Sequence, residues 1–110
     1  MALDPQMKAL LDQMAAAKLQ PVHKLTPAQA REQMSRRAAQ GDPVAVGRVE
    51  DRKIPGPAGD IPARIYTPEG NGPFGALVYF HGGGWVVGDI AMTDQPCRML
   101  TKASGCVVVS

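Results

Sequence analysis

Leu3, Met7, Leu10, Leu11 and Met14 recur at the spacing that gathers side chains on one face of a helix, with Asp12, Gln13 and Lys18 elsewhere on it. The pattern predicts an amphipathic helix over residues 5–19. Asp4 is suited to cap it because its carboxylate accepts from the free N–H groups of the first turn, and Pro5 fits the next position, where no N–H is needed. Pro21 ends it. Thr26-Pro27-Ala28-Gln29 has the form of a capping box and opens a second helix, predicted over residues 27–40 and closed by Gly41. The apolar side of this second helix is thin, mainly Ala30, Met34 and Ala38, so it is expected at the surface and dependent on another element for a partner.

After Gly41-Asp42-Pro43 the helical period gives way to alternation, loosely through Val44, Val46 and Val49 and clearly through Ile61, Ala63, Ile65 and Thr67. Two strands are expected, joined by the turn-forming IPGPAGD into an antiparallel, peripheral hairpin. Pro62 places the second strand's beginning where no ladder donor is required. Beyond the turn EGNGP, the unbroken apolar run Ala76 to Phe80 reads as a strand covered on both faces. Asp94 is expected to cap a helix over residues 95–104, with Met99, Leu100 and Ala103 turned inward and Gly105 as its stop. Cys106 to Val109 starts another buried strand. Strand, helix and strand in that order make a parallel right-handed βαβ unit, so the fold class is α/β. One crossover helix cannot cover both faces of a parallel sheet, and the 110 residues are therefore expected to be the first part of a larger domain.

Composition narrows the function. With 45% hydrophobic and 20% charged residues and a net charge of +2, the chain has the profile of a folded solute with little attraction for nucleic acid or an anionic membrane. The N-terminus lacks the uninterrupted apolar core of a signal peptide, which gives a cytoplasmic expectation. No apolar run approaches the roughly 18 residues that span a bilayer. Cys97 and Cys106, without CxxC spacing or a histidine cluster, are expected as buried thiols, and neither a metal nor a cofactor is implied.

The segment that carries chemistry is His81-Gly82-Gly83-Gly84-Trp85. It follows directly on the apolar strand, at the carboxyl end where α/β sheets place their ligand sites. Consecutive glycines permit positive φ and leave backbone N–H groups free to converge on a small anion, which is what stabilising a tetrahedral oxyanion requires. A phosphate-binding loop does not fit: Gly83 and Gly88 have the right separation, but Asp89 stands where Lys is needed. The dinucleotide fingerprint fails as well, since Gly82, Gly84 and Gly88 spell GxGxxxG. Ser35, Ser104 and Ser110 are the only serines, and none lies in a sharp strand-to-helix turn suited to a nucleophile. His81 is expected to fix the loop through ring hydrogen bonds, and His23 to face solvent. Trp85 is either a wall of a substrate pocket or a packing anchor.

The run LVYFHGGGWVVGD, with RIYTPEG before it and CRMLTKASGCVVVS after it, resembles the N-terminal third of a bacterial hormone-sensitive-lipase-type carboxylesterase of the α/β-hydrolase fold. The resemblance implies that residues 1–42 contribute helices to a cap and that residues 43–110 form the first strands and crossover helix of an incomplete hydrolase domain. It also implies that the N–H groups of Gly83 and Gly84 form the oxyanion hole, with His81, Gly82 and Trp85 supporting it or contacting substrate. The family often has Thr-His-Asp in the following loop, and this chain has Met92-Thr93-Asp94, keeping the Asp and losing the His. The nucleophile elbow, the acidic residue and the catalytic His fall beyond Ser110 in such enzymes. The implied partners are a small-molecule ester of short to medium acyl chain and the remainder of the chain's own domain, and the 110 residues alone are expected to be inactive. A non-catalytic small-molecule binder on the same scaffold, as in the plant gibberellin receptors, is the alternative.

Overall fold

A computed structural model of the protein describes residues 3–36 and 41–110. Helix α1 spans Pro5–Ala16, and the Asp4 carboxylate caps it by accepting from the N–H groups of Gln6 and Met7. It ends three residues short of the expected boundary. Its apolar stripe, Leu3, Met7, Leu10, Leu11 and Met14, stays about half exposed. Helix α2 spans Pro27–Ser35 and opens with the full capping box, Thr26 Oγ1 accepting from Gln29 N–H while Gln29 Oε1 accepts from Thr26 N–H. The expected continuation over residues 37–40, with Ala38, lies outside the described residues.

Strand β1 covers Arg48–Ile54 and pairs antiparallel with β2, Ile61–Thr67, and the connecting loop closes on itself through reciprocal Gly56 and Gly59 backbone bonds. The expected strand around Val44 and Val46 is corrected, because the Val44 N–H donates to Gln95 Oε1 at 2.8 Å and its carbonyl accepts from Arg98 Nη1 at 3.2 Å. With both groups satisfied by side chains, that backbone needs no ladder. The strand begins instead at Arg48 and continues through the charged Glu50-Asp51-Arg52-Lys53.

Strand β3 is Ala76–Val78, helix α3 is Asp94–Ser104, and β4 is Val107–Val109. The sheet order is β1-β2-β4-β3, with β3 and β4 parallel and β4 antiparallel to β2. This register aligns Val49, Tyr66, Val108 and Leu77 in one row across all four strands, on the face that α3 covers. Tyr66, Val108 and Cys97 of α3 are fully buried there. Val108→Ala, which leaves a void at the centre of this row, is expected to cost roughly 2 kcal/mol, read as a lowered urea midpoint with unchanged slope.

Within these 110 residues Leu77 and Tyr79 pack toward α3, while Val78 and Phe80, 63% and 87% exposed, face the side that no described helix covers. Two further expectations are corrected. The inner stripe of α3 is not Met99, Leu100 and Ala103, which are exposed, but Cys97 and Thr101 with the largely buried side chains of Asp94 and Arg98. Cys97 is a buried thiol as expected, whereas Cys106 is only partly buried, and both are free. Gly105 does stop the helix, at φ +66 in the left-handed region that glycine tolerates best.

Asp94 is not the cap of α3. Thr93 occupies that position, and the Asp94 carboxylate accepts from Arg64 Nη1 at 3.0 Å, Tyr66 OH at 3.0 Å and Arg98 Nε at 2.5 Å. Arg64 also grips Asp51 with two parallel bonds of 2.6 and 3.0 Å, tying hairpin, sheet and helix into one network. Burial pulls the Asp94 carboxyl upward, but its three donors outweigh that and hold it below the usual carboxylate range.

Candidate active site

His81-Gly82-Gly83-Gly84-Trp85 leaves the carboxyl end of β3 as an exposed loop, and three successive residues, Gly83, Gly84 and Trp85, have positive φ of 141, 58 and 58. Such a run is costly for residues with a Cβ, and Trp85 carries that strain although its side chain is fully exposed. As a packing anchor, Trp85 finds no contact surface among the described residues. Glycine is obligatory at Gly83, where a Cβ would sit 1.7 Å from the Val87 carbonyl oxygen, and at Gly88, where it would meet Gly82 O at 2.5 Å and the His81 ring at 2.8 Å.

The hydrogen bonds of the loop orient its peptide planes. The Gly83 carbonyl accepts from the N–H groups of Val86 at 3.1 Å and Val87 at 3.0 Å. Because a trans peptide sets C=O and N–H on opposite sides, the N–H of Gly84, in the same plane, points away from that turn. The Gly82 carbonyl lies 2.9 Å from His81 Nδ1, and since a carbonyl only accepts, Nδ1 carries the proton. That contact orients the Gly82–Gly83 plane and the Gly83 N–H in the same way. Among the described residues neither the Gly83 nor the Gly84 N–H has a protein acceptor. Two oriented, unoccupied backbone donors on consecutive residues can stabilise a small anion or an oxyanion.

Three residues outside the expected set complete the site. Arg31 of α2 donates its Nε–H to the Val86 carbonyl at 2.7 Å, and Ser35, one turn on, donates its hydroxyl to Asp89 Oδ2 at 3.1 Å. Asp89 Oδ1 accepts from Met92 N–H at 2.8 Å, closing the turn toward α3. Arg31 and residues 81–88 line a cavity of about 420 Å³. A second, mostly apolar space of about 940 Å³ opens between the end of the hairpin, at Ile54 and Ile61, and Val78 and Phe80. Gly88 and Asp89 stand within the GGGWVVGD run and were open to being read from it, whereas Arg31 and Ser35 lie 55 and 54 residues from their partners and carry no local signal.

The serines and histidines do not converge. Ser104 bonds Leu100 O and Cys106 N–H within its own helix end, Ser110 closes β4 against Arg64, and Ser35 bonds Asp89. His23 is exposed in a 3₁₀ turn, Val22–Lys24. Among the described residues there is no cluster of His, Cys, Asp and Glu that could hold a metal ion, and no helix long and apolar enough to cross a membrane.

A parallel strand ending in a glycine loop, followed by a crossover helix and a second strand in the order β1-β2-β4-β3, is the beginning of an α/β-hydrolase sheet, and residues 77–110 match a family described as alpha/beta hydrolase fold. The chain has that fold. Within the fold its relatives are carboxylic ester hydrolases. The chain is 31% identical over 111 aligned residues to an arylesterase of Saccharolobus solfataricus, covering 100% of this chain and 36% of that protein. It is 48% identical over 62 residues to the carboxylic ester hydrolase LipN of Mycobacterium tuberculosis, covering 56% of this chain and 16% of that one. The solved structure of a hyperthermophilic esterase from the archaeon Pyrobaculum calidifontis matches with a TM-score of 0.84 at 37% identity, covering 100% of this chain and 36% of that one. An ester hydrolase from the metagenome of Lake Arreo matches with a TM-score of 0.88 at 35% identity, covering 99% and 37%. The chain thus spans about a third of the length of the relatives it matches from end to end.

Proposed function

We propose that the full-length protein is a cytoplasmic carboxylic-ester hydrolase for short to medium acyl esters, in which Gly83 and Gly84 supply the oxyanion hole and a Ser-His-Asp triad beyond residue 110 performs the acyl transfer. The observation that carries the reading is the pair of oriented, unpartnered N–H groups on Gly83 and Gly84 at the end of β3, in a chain similar throughout to esterases. In this mechanism the serine attacks the ester carbonyl while the histidine takes its proton. The carbonyl oxygen becomes negative and moves into the two glycine donors, which bind it more strongly than the ground-state carbonyl. The histidine then protonates the leaving alkoxide, and water repeats the sequence to release the acid. Residues 1–42 act as part of a cap over the site, and residues 43–110 as the first strands and crossover helix of the catalytic domain.

The full-length protein is expected to hydrolyse p-nitrophenyl butyrate with saturation kinetics and to be labelled on one serine by a fluorophosphonate. Residues 1–110 alone are expected to show no turnover, because oxyanion donors without a nucleophile form no acyl-enzyme. Absence of both turnover and labelling in the full-length protein removes the esterase reading and leaves a small-molecule binder. Saturable hydrolysis by the 110 residues alone would show that the nucleophile lies within them.

A further inference from the structure

Helix α2 touches the glycine loop through two side chains one helical turn apart, and both contacts reach atoms that govern the geometry of the oxyanion donors. Arg31 Nε–H holds the Val86 carbonyl at 2.7 Å. The Val86 carbonyl shares its peptide plane with the Val87 N–H, which donates to the Gly83 carbonyl at 3.0 Å, and the Gly83 carbonyl shares its plane with the Gly84 N–H. A continuous relay therefore runs from the Arg31 guanidinium through two rigid planes to one of the two donors. Hydrogen bonds in such a chain polarise one another, and a charged donor at its head is stronger than a neutral one. Ser35 secures the other end of the loop: its hydroxyl bonds one oxygen of Asp89 while the other oxygen holds the Met92 N–H.

We propose that Arg31 and Ser35 are positioning residues that hold the oxyanion loop from helix α2, so that the N-terminal helical segment sets the transition-state affinity of the site as well as covering it. This rests on the esterase reading above. Arg31 acts on the donors through Val86, and its loss is expected to reach kcat and leave substrate binding in place. The Nε–H is the atom that matters. A lysine keeps the charge but offers a flexible ammonium in place of a planar donor, so Arg31→Lys restores the function only in part.

The test uses the full-length enzyme and the variants Arg31→Ala, Arg31→Lys, Ser35→Ala and Ser35→Thr. The expected result for Arg31→Ala is a loss of about tenfold in kcat for p-nitrophenyl butyrate with KM within about twofold of wild type, the size of one charge-assisted hydrogen bond. Affinity for a trifluoromethyl ketone, whose hemiketal oxygen occupies the oxyanion position, is expected to fall by the same factor as kcat/KM. Amide exchange over residues 83–88 is expected to speed up in Arg31→Ala and Ser35→Ala and to return to the wild-type rate in Ser35→Thr. Unchanged kcat and unchanged exchange in a folded Arg31→Ala protein overturn the proposal, and so does a change confined to KM. If Arg31→Ala does not fold, the Ser35 pair decides the matter through exchange: equal rates over residues 83–88 in wild type and Ser35→Ala overturn the proposal. A wild-type enzyme with no ester turnover overturns the esterase reading instead, a result that the exchange comparison keeps distinct from failure of the Arg31 relay.

Discussion

On the esterase function proposed above, Gly83→Ala is expected to lower kcat of the full-length protein for p-nitrophenyl butyrate by about 10²–10³-fold, the typical consequence of losing one oxyanion donor. The reason is steric and local. A Cβ at this position lies 1.7 Å from the Val87 carbonyl oxygen and 2.6 Å from its carbon, both backbone atoms, so no rotamer change relieves the clash. The turn must open, and the bonds from the Val86 and Val87 N–H groups to the Gly83 carbonyl must break or lengthen. The Gly83 φ of 141 is itself unfavourable for alanine. Both donor planes then lose their orientation, while the rest of the molecule changes little, because residues 81–86 are exposed and belong to no strand or helix. The expected signature is a large fall in kcat, a small change in denaturation midpoint and a matching loss of trifluoromethyl ketone affinity. Gly82→Ala provides the comparison, since the added methyl group meets nothing within 4 Å. A Gly83→Ala enzyme with wild-type kcat would remove this loop from the oxyanion hole.

What could be read from the sequence was what depends on neighbouring residues. The Asp4 and Thr26-Gln29 caps, the Gly56 to Gly59 turn and the Gly105 stop each involve residues within a few positions, and each forms as expected. The βαβ order was also open to reading, because the two apolar strands flank a helix with clear boundaries. The location of β1 was not, since the residues that pair are Arg48 to Ile54 and their alternation is masked by charge on both faces. Hydrophobicity likewise misassigned the inner face of α3. The sheet presents Arg64 and the Tyr66 hydroxyl to that helix, so the complementary stripe is Asp94, Cys97, Arg98 and Thr101, and the more apolar Met99 and Leu100 turn away. The glycine loop could be singled out through composition and its place after an apolar strand. Its support from Arg31 and Ser35 could not, because a side chain that reaches across more than 50 residues leaves no periodicity to find.

The same polar seam carries the largest stability effect expected. Asp94→Asn preserves shape but removes the charge that faces Arg64 and Arg98, whose side chains remain only 26% and 17% exposed. Breaking a fully buried pair typically costs about 3–5 kcal/mol, and with this residual exposure about 2–3 kcal/mol is expected here. The loss should be cooperative across elements, because the one carboxylate joins α3 to β2 and, through Arg64, to Asp51 of β1. Its pH dependence has a definite sign. The folded-state carboxyls of Asp51, lowered chiefly by its bonds from Arg64, and of Asp94, lowered by donors that outweigh burial, both lie below their unfolded values. Their stabilisation is therefore complete above the unfolded carboxyl value of about 4 and disappears as pH falls from there through the folded values. Urea denaturation of wild type and Asp94→Asn should accordingly give curves that differ by a constant amount from about pH 5 to 8 and converge in acid. Tyr66 sets a limit on the alkaline side, since burial and then its bond to Asp94 raise the phenol, and that contribution is lost only as pH rises beyond the ordinary tyrosine value of about 10. A stability difference that persists unchanged to about pH 2 would mean that Asp94 acts through packing, and the ion-pair account of the α3–sheet seam would have to be abandoned.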